Sequence, residues 1–169
     1  LNAKKGSKFN CFIFGSGSKF RKDDYEISLN KENSFAKINS AAILKKGEHQ
    51  EVKTTMFHCQ PHCKSHQKIK NILQDSSKGI FQGKVLVSEN AQKTDAYQIS
   101  KGLILDDNAE FSTKPELEIY ADDVKCSHGS TSGNIDKDAI YYLMTRGLPK
   151  KEATKLIVKG FLNDVTLEI

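Results

Sequence analysis

The 169-residue sequence has no tryptophan, three prolines and two methionines. It contains no apolar run approaching the ~18 residues that a membrane-crossing helix needs, so no such span is expected. Long blocks of like charge are missing as well. Lysines sit beside acids, as in Lys22-Asp23-Asp24 and Asp136-Lys137-Asp138. The balance of 26 basic to 21 acidic residues gives a net charge of +5. Spread this way it reads as a solvated surface. A nucleic-acid binder would show a basic stripe with interleaved aromatics, so no nucleic-acid partner is expected. The four cysteines, Cys11, Cys59, Cys63 and Cys126, include no CxxC pair and do not form the dense framework of a disulfide-stapled domain. No basic-then-apolar leader opens the chain, and reduced thiols in a cytoplasmic compartment are the expectation. The common catalytic signatures fail too: there is no GxSxG elbow, no GxGxxG, no P-loop and no paired-carboxylate arrangement. The chain is therefore not expected to be an enzyme. It starts at Leu1 rather than Met and reads as part of something longer.

What is present is strand periodicity. Phe9, Cys11 and Ile13 alternate, as do Tyr25, Ile27 and Leu29. That period of two marks half-buried strands. Gly15-Ser16-Gly17-Ser18 and Gly47 punctuate the series, and Phe35–Ile38 and Ala42–Leu44 continue it. Val85-Leu86-Val87-Ser88-Glu89-Asn90-Ala91 resembles Leu103-Ile104-Leu105-Asp106-Asp107-Asn108-Ala109 at an offset of 18 residues. The pattern predicts a solenoid whose coils bury their apolar edges on one another, with Ala91 and Ala109 stacked inside. An antiparallel sandwich is the rival. The period then changes. Ile135, Ala139, Ile140, Leu143 and Met144 mark one helix face, with Asp136 as N-cap and Gly147 as stop. Pro149 opens a second helix with a stripe of Ala153, Leu156, Ile157 and Phe161. The expected division is a β body over residues 1–134 and a helical region over 135–169.

Two clusters have ligand chemistry. His58, Cys59, His62, Cys63 and His66 lie within nine positions. Thiolate and imidazole suit zinc or iron, so a self-contained metal site is one reading. A polar loop with one or two core cysteines is the other. The second cluster is Cys126 and His128. If they lie on one strand, positions i and i+2 share a face. Together they offer a soft-metal half-site, or an imidazolium that lowers the thiol pKa. The plain alternative is that Cys126 is core beside Val124.

Several stretches carry a resemblance: Gly79 to Val85, Lys93-Thr94-Asp95-Ala96, the unbroken run Lys114 to Gly129, Ile140-Tyr141-Tyr142-Leu143 and Arg146-Gly147. From Cys63 onward the chain resembles the SufB/SufD family of the SUF iron–sulfur cluster assembly system. Gly129 after His128 fits the SufD type, since SufB-type members carry an acid there. The resemblance implies a right-handed parallel β-helix followed by helices, with further helical sequence before Leu1 and beyond Ile169. It implies a non-catalytic scaffold that pairs with a SufB-like subunit through the β-helix and docks a SufC-like ABC-type ATPase through the C-terminal helices. A transient Fe–S cluster would form at the subunit interface, with His128 as an iron or cluster ligand and Cys126 as a nearby thiol. A homodimer is the expectation for the isolated chain. Within the first cluster, Cys63 and Ser65 fit the family pattern, whereas Cys59, His62 and His66 do not. A purely structural solenoid module is the remaining alternative, and it requires Cys126 and His128 to be buried.

Overall fold

The computed structural model describes residues 1 and 3–166. Among them are nine strands followed by two helices: β1 (Lys8–Gly15), β2 (Phe20–Leu29), β3 (Phe35–Leu44), β4 (His49–His58), β5 (Lys64–Leu73), β6 (Lys78–Val87), β7 (Asp95–Ile104), β8 (Glu110–Ile119), β9 (Lys125–Asn134), α1 (Lys137–Thr145) and α2 (Lys150–Thr166). Odd strands form a five-stranded sheet, β1-β3-β5-β7-β9, and even strands a four-stranded sheet, β2-β4-β6-β8. Every pairing is parallel. The chain is a parallel β-solenoid of four coils and a final half coil. The alternating residues read from the sequence point between the sheets. Ile13, Ile27, Leu29, Ile38, Met56, Ile69, Phe81 and Val85 fill the interior, each buried aliphatic contributing about 1.5–3 kcal/mol relative to exposure.

The 18-residue repeat is not the coil. Stacked positions lie 27 to 32 residues apart, from Lys8 and Phe35 at the short end to Lys78 and Glu110 at the long end. Val85–Val87 ends β6 and Leu103 lies in β7, on opposite sheets. Their likeness reflects two strand ends with similar exits. Ala91 and Ala109 consequently sit at opposite corners, in separate apolar clusters, and do not stack.

The turns repeat their backbone coil by coil. Gly6, Asn33, His62 and Lys93 all adopt φ near +60°. Each donates its N–H to the next coil: Gly6 to Glu32 O, Asn33 to Pro61 O, His62 to Gln92 O and Lys93 to Asp123 O, at 2.6–3.4 Å. At the opposite corner Lys46 N–H donates to Asp75 Oδ2 and Asp75 N–H to Asp106 Oδ2. These bonds satisfy turn amides that would otherwise face the neighbouring coil unpaired.

Asp136 caps α1, its Oδ1 accepting from the amides of Asp138 and Ala139, and Gly147 leaves the helix at φ +92°. Ile140 and Leu143 of α1 meet Ala153 and Ile157 of α2. Farther along, α2 lays Val158, Phe161, Leu162 and Val165 on Ala41 and Ile72, across the outside of the five-stranded sheet. Lys70 ties the two together, donating to Phe161 O at 2.6 Å and to Asp164 Oδ1 at 2.5 Å. Met144 and Leu156, expected on the buried stripes, are exposed at 41% and 51%, because the stripe follows Ile140–Leu143 and Ala153–Ile157 instead. Leu167–Ile169 lie outside the described residues. No described helix is long and apolar enough to cross a membrane.

Candidate functional site

The solenoid ends at β8 and β9, and no described strand pairs with their outer edges. Interior positions of this last coil therefore still point between the sheets but have no described coil over them. In β9, register places Cys126 over Ala96 and His128 over Gln98. The columns continue down through Ser65 and Gln67 to Ala36 and Ile38. Ala96, Gln98, Ser65 and Gln67 are buried, yet Cys126 is half-buried and His128 exposed. Both stand at interior positions that no described coil covers. Sharing one strand face, as the spacing predicted, they present a thiol and an imidazole at an open end. The exposure of His128 runs against a purely structural reading, while Cys126 packs half-buried against the interior beside Val124, as the core alternative for it expects. Opposite them on β8, Thr113, Pro115 and Leu117 are likewise half-buried, with Thr113 Oγ1 bonded to Ser100 Oγ at 2.9 Å.

Burial pushes the Cys126 thiol above its ordinary pKa; the Ala96 backbone pulls it down, and the Asp95 carboxylate raises it again. The thiol is protonated at neutral pH. An imidazolium-activated thiolate is not what this environment produces. Ligation by Cys126 requires loss of a proton, which a bound cation favours. Among the described residues no three His, Cys, Asp or Glu side chains converge as a complete metal site.

The His58–His66 cluster disperses. β4 ends at His58 and β5 begins at Lys64, so the turn sends neighbours to different sides. His58 is fully buried, its Nε2 2.8 Å from Ser65 Oγ. Burial lowers its pKa to about 4 despite the opposing Asp95 charge, so it is neutral. Cys63 is buried, its thiol donating to Lys31 O at 3.2 Å. Cys59 is half-buried, and its N–H donates to Leu29 O at 3.2 Å. His62 holds the turn at φ +61°. His66 lies on the outer sheet face, edge-on to Phe35 and Tyr97. A self-contained site built from these residues has no geometric support.

Sequence reasoning missed the polar interior. Thr54 Oγ1 donates to Gln67 Oε1 at 2.5 Å, while Gln50 and Gln98 are buried with neither amide atom bonded. Gly83 makes room for Gln98: a Cβ there would lie 1.9 Å from Gln98 Nε2. The signal was the coil-to-coil column, such as Gln67 under Gln98, which becomes visible once the true coil register replaces the 18-residue one.

Outside the solenoid, a groove of about 420 Å³ opens between α1, α2 and the sheet, lined by Leu105, Ile140, Tyr141, Met144, Lys150 and Thr154 among others. Its rim residue Tyr141 is 69% exposed.

The chain matches the family model described as SUF system FeS cluster assembly, SufBD core domain, over residues 1–161. It is 39% identical to the iron–sulfur cluster assembly protein SufD of Escherichia coli K12 over 98% of this chain and 39% of that protein. It is 32% identical to a SufBD family iron–sulfur cluster assembly protein of Synechocystis PCC 6803 over 98% of this chain and 36% of that protein. SufD of Bacillus subtilis is 39% identical over 58% of this chain and 22% of its own length. The chain thus spans well under half the length of these relatives. A parallel solenoid with an uncovered Cys–x–His strand and a family match along almost its whole length lead to one assignment: the chain belongs to the SufBD core family of SUF-system iron–sulfur cluster assembly proteins.

Proposed function

We propose that this chain is a non-catalytic scaffold in iron–sulfur cluster assembly, supplying one half of an interfacial site. The observation that carries the reading is His128: an interior-column residue exposed because no described coil covers it. A SufB-like subunit seated on the free edges of β8 and β9 would complete the coil stack and bring its own ligands to the same place. Open strand edges favour such completion, and a second copy of the chain is the fallback when that subunit is absent. The cluster is cargo, held there transiently. His128 offers an imidazole nitrogen to iron, and Cys126 offers a thiol that ligates once deprotonated.

The work divides between residues 1–134, which build the seam, and 135–169, which dock a SufC-like ATPase. The apolar groove beside Tyr141 and Met144 supports the second role, since contiguous exposed apolar surface marks interaction sites. The relatives' printed names support the reaction context.

The test mixes the full-length protein with SufB-like and SufC-like subunits and follows cluster formation. A stable complex is expected, and His128→Ala should abolish most cluster yield while leaving complex and fold intact. Normal yield from that variant refutes the assigned role.

A further inference from the structure

The two sheets of this solenoid handle charge in different ways. On the outer face of the four-stranded sheet each lysine is matched to a carboxylate: Lys22 to Glu51, Lys53 to Asp24, Lys78 to Glu110, Lys84 to Glu118 and Lys114 to Glu116, all within 3.4 Å. That face is electrically self-contained. The outer face of the five-stranded sheet is not. Its strands present Lys8, Lys37, Lys64, Lys68, Lys70, Lys101 and Lys125, with Asp95 as the lone strand-borne acid among them. Lys64 reaches Asp95 only at 3.8 Å. Lys8, Lys101 and Lys125 have no ion-pair partner among the described residues.

The chain itself shows what this face accepts. Helix α2 covers one half of it by placing Asp164 on Lys68 and Lys70, with the Lys70 ammonium over the Phe161 ring at 4.7 Å. The uncovered half repeats that chemistry. Lys8, Phe35, Lys64, Asp95 and Lys125 form one column, beside the edge-on rings of Phe35, His66 and Tyr97.

We propose that this uncovered half is a docking face for an acidic protein partner, which binds beside the open end of the solenoid. Lys125 directly precedes Cys126 in β9, on the opposite face of that strand, so the visitor sits at the same rim, outside the sheet that carries the thiol within. The inference stands on the charge pattern and does not require the seam proposed above. An acidic protein fits better than a nucleic acid. The face carries lysines without arginine, and its rings are set edge to face, with no stacked platform on which bases would lie. Lysine-rich faces act mainly through steering and association rate, so the contact is reversible and salt-sensitive.

The experiment uses the full-length protein and a fluorescein-labelled poly-glutamate peptide at low salt. A Lys8→Gln/Lys64→Gln/Lys125→Gln variant should bind roughly tenfold more weakly, with a flatter salt dependence. A control variant, Lys22→Gln/Lys53→Gln/Lys84→Gln, should stay within about twofold of the parent. Circular dichroism melts confirm that both variants fold. Equal losses in the two variants, or no loss in the first, overturn the proposal. An oligonucleotide of matched charge that binds more tightly and displaces the peptide overturns it in favour of nucleic acid.

Discussion

The imidazole of His128 stands one strand beyond the carboxamide of Gln98 in the same interior column, yet Gln98 is buried and His128 is exposed. Gln98 has another strand laid over it, and His128 has none among the described residues. A position that would be core in any earlier coil becomes surface in the last one, and its chemistry becomes available without any change of strand geometry.

The fit of Gln98 against Gly83 yields the first prediction. Gly83→Ala places a methyl 1.9 Å from Gln98 Nε2 and 2.6 Å from the Phe81 ring. The expected cost is about 1–3 kcal/mol in denaturant unfolding. Adding Gln98→Ser should return part of it, so the double variant loses less than the sum of the singles by about 1 kcal/mol. Strict additivity would show that the two residues do not share the space.

His58 makes stability depend on pH. Its folded pKa is depressed to about 4 by burial, against an ordinary value of 6.5. The unfolded chain therefore takes up the proton first. The contribution is intact above pH 6.5 and is lost as pH falls toward 4, roughly 3 kcal/mol across the window. Denaturant midpoints at pH 7 and pH 5 read this directly. His58→Leu should flatten the slope between them, whatever it does to stability at pH 7.

Cys126 should be slow to alkylate near neutral pH. Its thiol is half-buried and held above the ordinary value of 9.0. In a Cys11→Ser/Cys59→Ser background, iodoacetamide labelling followed by peptide mapping should accelerate steeply with alkaline pH, with a midpoint above that value. Rapid labelling at pH 7 would contradict the protonated state assigned here.

Asp136 caps the helix that follows the solenoid, its side chain satisfying the amides of Asp138 and Ala139. Asp136→Ala should cost about 1 kcal/mol of α1 stability. Hydrogen exchange at those two amides should speed up, while the amides of β5 stay protected.

Much of this was legible from residue patterns and some was not, for physical reasons. The alternation of Phe9, Cys11 and Ile13 marked β1 because a half-buried strand needs it. Asp136, Gly147 and Pro149 marked the helix boundaries because caps and stops demand particular residues. The coil repeat stayed hidden because its columns tolerate unlike residues. Ile38 stacks on Gln67 and His58 on Val87, so self-similarity is weak at the true register and the likeness of two strand exits 18 residues apart stood out instead. The shared face of Cys126 and His128 followed from the period of two. Their exposure did not, because it depends on the lack of a further coil over β9 among the described residues. The dispersal of His58, Cys63 and His66 was equally out of reach, since nearness along the chain conceals a reversal of direction.

The corner amides of Asn33, His62 and Lys93 ask the same of every turn, and that sameness governs how such a molecule changes length. A duplicated coil spliced into the stack would meet neighbours already shaped to receive it. Each addition would carry the terminal rim about 4.8 Å along the axis, while α2 kept its footing on β3 and β5. The reach between rim and helices is thus a ruler graduated in whole coils, and lineages can adjust it one notch at a time.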